Sequence, residues 1–290
     1  MRRPRALDLF ARAGGVSEGL RRAGFDVVGV DILDCSKAYL KGPGNPEHDN
    51  PAVFVQADAL TYPLEGFDFI WASPPCQAHS ILRKLQPGKE YPDLIPATRE
   101  RLIASGIPYA IENVPGAPLG GNLVTLCGTM FGLQTPDGRA ELRRHRLFET
   151  SWLVLLRPAC RHGEGGEESI MVHGNGSPEE GASRWAQRET LSVVGHSRNG
   201  GRRRAAARRA ISVTGNTPQT NLVRNQIAYT YSLDHARAAM GIPWMSMKDL
   251  SQAIPPAYSH FLALQFLGLP CAHLTVEGCQ HYFSFTGGGA

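Results

Sequence analysis

Phe67-Asp68-Phe69-Ile70-Trp71-Ala72-Ser73-Pro74-Pro75-Cys76-Gln77 begins as a strand-like apolar run and halts at two prolines. Proline fixes φ and removes a backbone donor, so a sheet strand must stop there and the turn that follows is stiff. Cys76 is thereby set on a rigid ledge at the end of a strand, the edge where open α/β sheets bind their ligands. A cysteine held in this way is a candidate nucleophile. The competing reading is an ordinary Pro-Pro turn that contains a cysteine.

Outward from this stretch, strand and helix signals alternate. Residues 6–10, 27–31, 53–56, 67–72 and 109–111 read as short buried strands, the last running into Glu112-Asn113. Residues 16–23 and 97–104 read as helices. Such alternation with short links predicts an α/β fold, a doubly wound and mostly parallel sheet whose polar strand ends gather on one edge. From about 160 to 226 the composition turns to Gly, Ser, Asn and Arg. Three strand-glycine units recur there (Met171-Val172-His173-Gly174, Ser192-Val193-Val194-Gly195, Ser212-Val213-Thr214-Gly215). We expect a small β-rich insert over 160–226, between a catalytic unit at 1–159 and a helical C-terminal segment at 227–282. Residues 283–290 are expected to be a disordered tail.

Composition narrows the class. With 42% hydrophobic and 19% charged residues over 290 positions, the chain has the balance of a globular protein with a sizeable core. The basic start, Met1-Arg2-Arg3-Pro4-Arg5, is followed by Asp8 and Arg12 rather than an apolar stretch, and no run approaches a membrane span. Six cysteines without compact even spacing point to a reduced, cytoplasmic protein. Net charge is only +4, yet residues 184–224 hold nine arginines and one acid, Glu189. That asymmetry, centred on Arg202-Arg203-Arg204 and Arg208-Arg209, predicts contact with a polyanion, against the alternative of a solvated loop.

Asp8-Leu9-Phe10-Ala11-Arg12-Ala13-Gly14-Gly15 joins the first strand to the first helix, and its glycines allow a ligand to approach backbone at a helix start. Asp31, ending the second strand, is placed to accept from ribose hydroxyls, as the acid of an NAD site also is. The spacing lacks GxGxxG, which argues against a dinucleotide. In this order the motifs resemble those of the DNA cytosine-5 methyltransferase family, over most of the first 150 residues and again near 240–266. The resemblance implies a Rossmann-like catalytic domain that binds S-adenosylmethionine (SAM). Its cofactor residues would be Asp8, Phe10, Arg12, Gly14, Gly15, Asp31 with Ile32, Asp58 with Ala59, Pro74 and Gln252. Pro74-Pro75-Cys76-Gln77 is similar to the catalytic loop, Glu112-Asn113-Val114 to the motif that contacts the target cytosine, and Arg144-His145-Arg146 to the arginine pair that positions the flipped nucleotide. Ile254-Pro255-Pro256 is similar to the last motif, where the C-terminal segment folds back onto the cofactor side.

The chemistry implied needs these residue types. Carbon 5 of cytosine is too weak a nucleophile to accept a methyl group until a thiolate, here Cys76, adds to carbon 6. Glu112 would hold ring nitrogen 3 and the exocyclic amine, Arg146 the carbonyl oxygen, and Arg144 the backbone or its neighbour. The base must leave the stack, so double-stranded DNA is the expected partner of a monomeric enzyme. Residues 78–91, which hold Arg83, Lys84 and Lys89, would close over the nucleotide, with Gln77, Ser80, Arg83 and Lys84 at the DNA. Arg198, Arg202, Arg203, Arg204, Arg208 and Arg209 of the insert would grip phosphates and read sequence, as in a restriction-modification enzyme. An RNA-directed relative, a binding protein without catalysis and a Rossmann oxidoreductase remain open.

Three positions depart from the family pattern: Arg12 where glycine is usual, Gln252 where asparagine is usual, and Leu142 where glutamine is usual. Arg12 is expected to pair with the methionine carboxylate of SAM or to face solvent. A sharper alternative is carboxy-SAM as cofactor, giving 5-carboxymethylcytosine. No metal is expected. Cys271-x-His273 and Cys279-x-His281 do not follow a common zinc spacing, and these and Cys160 with His162 are read as surface residues. Cys35 and Cys127 are read as structural.

Overall fold

The computed structural model describes residues 2–79, 91–138, 140–155, 157–160, 209–210 and 232–269. Five strands run in parallel: β1 (Arg5–Leu9), β2 (Asp26–Asp31), β3 (Val53–Gln56), β4 (Phe69–Ala72) and β5 (Tyr109–Asn113). β6 (Asn122–Leu126) and β8 (Arg146–Thr150) complete a seven-stranded sheet of order β3-β2-β1-β4-β5-β8-β6. β8 lies antiparallel between β5 and β6. A two-residue strand, β7 (Ala140–Glu141), pairs in parallel with β9 (Arg209–Ala210), the described part of the arginine-rich region. The triplicate strand-glycine pattern lies outside the described residues, so the β-rich insert rests on sequence alone.

Helices cover the sheet on both sides because strand side chains alternate with period two. Ala6, Phe69, Trp71 and Ala110 point into one core, shared with α1 (Gly15–Arg22), α4 (Leu233–Met240) and α6 (Pro256–Phe266). Leu7, Leu9, Ile70, Ala72 and Ile111 point into the other, closed by Leu102 of α3 (Ile95–Ser105). Short helices α2 (Ser36–Tyr39) and α5 (Met247–Gln252) flank the first core. Among the described residues no helix is long and apolar enough to cross a membrane.

The C-terminal helices α4 and α6 pack into the same core as α1 and the sheet. α6 packs along α1 so closely that a β-carbon at Gly19 would collide with Ser259 Oγ and Pro256 O. Ser259 Oγ donates to Val16 O at 3.0 Å across the same contact. A tilted cluster of Phe25, Phe69 and Phe266, with Trp152 against its edge, fills the space beneath.

Strand order decides where a ligand sits. The chain leaves β1 toward β2 and β3, then returns past β1 to β4 and β5, so the switch point lies between β1 and β4. Ligands of such sheets bind beyond the carboxyl ends of the strands at that point. Those ends are Asp8-Leu9, Asp31, Ala72 before the Pro-Pro-Cys turn, and Glu112-Asn113.

Candidate active site

The turn after β1 is strained. Phe10 and Arg12 both hold positive φ, 64° and 49°, which L-residues rarely adopt and which concentrates at ligand-binding turns. The strain is held by hydrogen bonds: Arg12 N donates to Asp31 Oδ2 at 3.0 Å, Leu33 N to Asp31 Oδ1 at 2.9 Å, and Ala11 N to Val30 O at 2.9 Å. Asp31 therefore shapes the loop, and its remaining lone pairs are left for a ligand. Trp244 adds a tie from the C-terminal segment, donating through Nε1 to Ala13 O at 2.9 Å.

A cleft of about 330 Å³, counted with its open mouth, lies against this loop. Of the residues expected at the cofactor, Asp8, Phe10, Arg12, Gly15 and Gln252 line it, together with Ser73, Met245 and Asp249. Gly15 is required by crowding, since a β-carbon there would lie 2.5 Å from Ile254 O of the Ile254-Pro255-Pro256 motif. That contact brings the last motif onto the cofactor loop. Gly14 does not line the cleft; it caps α1 with φ 84° against Tyr39 and Pro43. Ile32, 67% exposed, forms an apolar ledge beside Asp31. Asp58 is exposed and accepts from Leu60 N, while Ala59 is buried and offers no side-chain surface.

The donor set fits a small cationic ligand bearing a carboxylate. Asp8 is fully buried: Oδ2 accepts from Ser17 Oγ, and Oδ1 has no hydrogen-bond partner among the described residues. Burial pushes its carboxyl up to about 7, with the Asp31 charge adding to the rise. An ammonium group donating to Oδ1 would satisfy both the empty acceptor and the charge. Arg12 Nε, also buried without a partner among the described residues, is a donor for a carboxylate. The ammonium, carboxylate and ribose of SAM meet these needs.

Beside this cleft stands a second constellation. Cys76 opens a single 3-10 turn, Cys76–Ala78, after Pro75 at φ −50° and ψ 125°. Asn113 Nδ2 donates to Pro74 O at 3.0 Å and pins that turn to the end of β5. Glu112, one residue earlier on β5, is buried and lies 3.0 Å from Arg146 Nε at the start of β8. Ser73 Oγ accepts from Trp71 Nε1 at 3.0 Å and hydrogen-bonds Glu112. Burial raises the Glu112 carboxyl, opposed by Arg146, Arg144 and the Ser73 bond. Burial likewise pushes the half-buried Cys76 thiol up, while Arg146 pulls it down, Glu112 pushes it up and Arg144 pulls it down.

The two arginines divide their work. Arg146 faces Glu112 and Cys76. Arg144 is interior, its Nη2 donating to Ser251 O at 3.0 Å and its own carbonyl accepting from Tyr258 Oη at 2.5 Å. Burial, then Arg146, pushes its guanidinium down to about 9, which keeps it cationic at neutral pH. Arg144 thus ties the segment before β8 to Ser251 of α5.

Sequence reading missed Ser17, Ser73, Asn113, Met245, Asp249 and Tyr258. Ser73 and Asn113 sit inside motifs already singled out, and their hydrogen-bonding side chains were the available signal. Gln77 lies on the Cys76 turn. Ser80, Arg83, Lys84 and Lys89 fall outside the described residues, as do Arg198, Arg202, Arg203, Arg204 and Arg208; Arg209 is placed by its backbone alone, in β9. His79 Nε2 lies 2.9 Å from Asp93 Oδ1, joining the two flanks of residues 80–90.

No curated protein matches the chain. Among solved structures, a mutant of Spodoptera frugiperda DNMT2 is 15% identical over 91% of this chain and 99% of that one, with TM-score 0.44. Entamoeba histolytica methyltransferase EhMeth is 14% identical over 92% and 99%, with TM-score 0.47. A Synechocystis magnesium protoporphyrin IX methyltransferase, solved with SAM bound, is 19% identical over 39% of this chain and 50% of that one, with TM-score 0.29. The protein-family model described as C-5 cytosine-specific DNA methylase matches residues 5–117, the span that holds the strained loop, Asp31, Cys76 and Glu112.

Proposed function

We propose that the protein methylates carbon 5 of cytosine in double-stranded DNA, with SAM as cofactor. The observation that carries this reading is the meeting of Cys76, Glu112 and Arg146 at three strand ends beside a cleft that holds Asp8, Arg12 and the strained loop. SAM, when bound, supplies a methyl group on a sulfonium. Asp8 would take its ammonium, Arg12 its carboxylate and Asp31 its ribose.

The chain's own residues perform the rest. The Cys76 thiolate forms a bond to carbon 6, and the displaced π electrons are accepted across carbon 5 and nitrogen 3. Glu112, whose raised pKa favours the protonated carboxyl, donates that proton to nitrogen 3 and accepts from the exocyclic amine. Arg146, 3.0 Å from Glu112, donates to the carbonyl oxygen and offsets the carboxylate that forms. Carbon 5, now nucleophilic, gains the methyl group. A water acting as base takes the carbon-5 proton, Cys76 leaves as thiolate, and the nitrogen-3 proton returns to Glu112, which restores the aromatic base.

Trapping tests the scheme. A duplex with 5-fluorocytosine at target sites cannot lose fluorine as a proton, so the Cys76 adduct should persist as a denaturant-resistant complex when SAM is present. The expected result is trapping on duplex DNA by the wild-type protein and none by Cys76→Ala. Trapping on fluorinated RNA alone would replace DNA by RNA as substrate, and undiminished trapping by Cys76→Ala would remove Cys76 from the mechanism.

A further inference from the structure

Away from the cofactor cleft, three residues far apart in sequence bring metal-binding atoms together. Cys127 follows β6 and precedes the 3-10 turn Gly128–Phe131, His145 stands between the two arginines before β8, and Cys160 ends the described run that leaves the catalytic unit. Their Sγ and imidazole nitrogen atoms all lie within 4.8 Å of one another. Cys160 Sγ is 3.6 Å from His145 Nε2. Thr129 Oγ1 donates to Cys127 Sγ at 3.5 Å and lies 3.6 Å from Cys160 Sγ. Neither cysteine is in a disulfide.

We propose that Cys127, His145 and Cys160 bind a zinc ion that clamps the root of the arginine-rich insert to the catalytic sheet. The geometry and the donor types agree. Zinc–sulfur bonds of about 2.3 Å and zinc–nitrogen bonds of about 2.0 Å at a tetrahedral angle set an S···N edge of about 3.5 Å. The Cys160–His145 separation of 3.6 Å matches it. Two thiols and an imidazole are a soft set that selects zinc over calcium or magnesium, whose ligands are oxygens. The Thr129 hydroxyl supplies a hydrogen bond to sulfur of the kind that stabilises a thiolate ligand. Binding balances as two thiols plus Zn²⁺ giving a neutral dithiolate site and two released protons.

Position gives the ion its role. Holding His145 fixes the backbone between Arg144, which is tied to Ser251 O, and Arg146, which faces Glu112. Holding Cys160 fixes where the chain departs toward residues 161–231. None of the three ligands lines the cofactor cleft, so the clamp is separate from the chemistry proposed for Cys76.

Metal content decides the matter whether or not the methylation scheme stands. The full chain, expressed without a histidine tag and dialysed against metal-free buffer, should carry about one zinc per molecule by plasma mass spectrometry. Cys76→Ser should keep it. Cys127→Ser and Cys160→Ser should each lower it at least tenfold, and His145→Ala should raise the rate of zinc loss to a chelator at least tenfold. Cobalt loaded into wild-type protein should give a thiolate-to-cobalt charge-transfer band, which reads the site without any substitution. Wild-type protein free of zinc, a Cys127–Cys160 disulfide found by peptide mass, or zinc retained in both serine variants would overturn the proposal.

Discussion

Asp8 is a buried carboxyl whose ionisation bears on stability and on the proposed cofactor contact. Its pKa in the folded chain is about 7, against about 4 for an unfolded aspartate. The folded state therefore favours the protonated form, and the group's contribution to stability is lost as pH rises from about 4 to about 7. Asp8→Asn can still accept from Ser17 yet never ionises. We expect the cofactor-free variant's advantage over wild type to grow by about 1–3 kcal/mol between pH 5 and pH 8, read by denaturant melts at the two pH values. SAM binding should fall at least tenfold because Oδ1 no longer offers a charged acceptor. Equal stability at both pH values would mean that the carboxylate is solvated. Cys76 carries a second pH signature. Burial raises its thiol, so the thiolate fraction climbs about tenfold per unit of pH below that pKa. Single-turnover methylation should rise from pH 6 to pH 8, and a flat profile would mean that the thiolate is already formed throughout this range.

At the scale of elements, α1 and α6 form the joint on which the site depends. Gly19 meets Ser259 and Pro256 with no room for a methyl group, whereas nothing lies within 4 Å of a β-carbon at Gly120. Gly19→Ala should cost about 1–3 kcal/mol through overpacking, and Gly120→Ala should change stability by about 0.5 kcal/mol or less. Thermal melts of the two variants compare them directly, and equal melting temperatures would show that the helices slide apart freely. The same elements show what was legible in the sequence. β1 to β5, α1, α3, α4 and α6 were readable because apolar runs end at marked residues: Asp31, the Pro74-Pro75 pair and Glu112-Asn113. β6 and β8 were not expected. Their sequences, Asn122-Leu123-Val124-Thr125-Leu126 and Arg146-Leu147-Phe148-Glu149-Thr150, mix exposed and buried positions, and β8 runs against the parallel order. α5 is only six residues long and depends on a cap, Ser246 Oγ accepting from Asp249 N.

At the scale of the whole molecule, the catalytic site is assembled from both ends of the chain. The cofactor loop near residue 12 is closed by Trp244, Gln252 and Ile254, which explains why the site's chemistry was visible in local motifs but its walls were not. Cys127, His145 and Cys160 were invisible as a set because they are far apart in the chain: the pairing of β6 with β8 sets Cys127 beside His145, and the chain beyond β8 returns Cys160 to them. Attack of Cys76 on cytosine in DNA is the central step of the proposed reaction. Mass spectrometry of nucleosides from the DNA of cells expressing the chain, beside cells expressing Cys76→Ala, tests this most directly. 5-Methylcytosine above background is expected with the wild-type chain and none with the variant. Equal amounts in both, or new 5-methylcytosine confined to RNA, would contradict it.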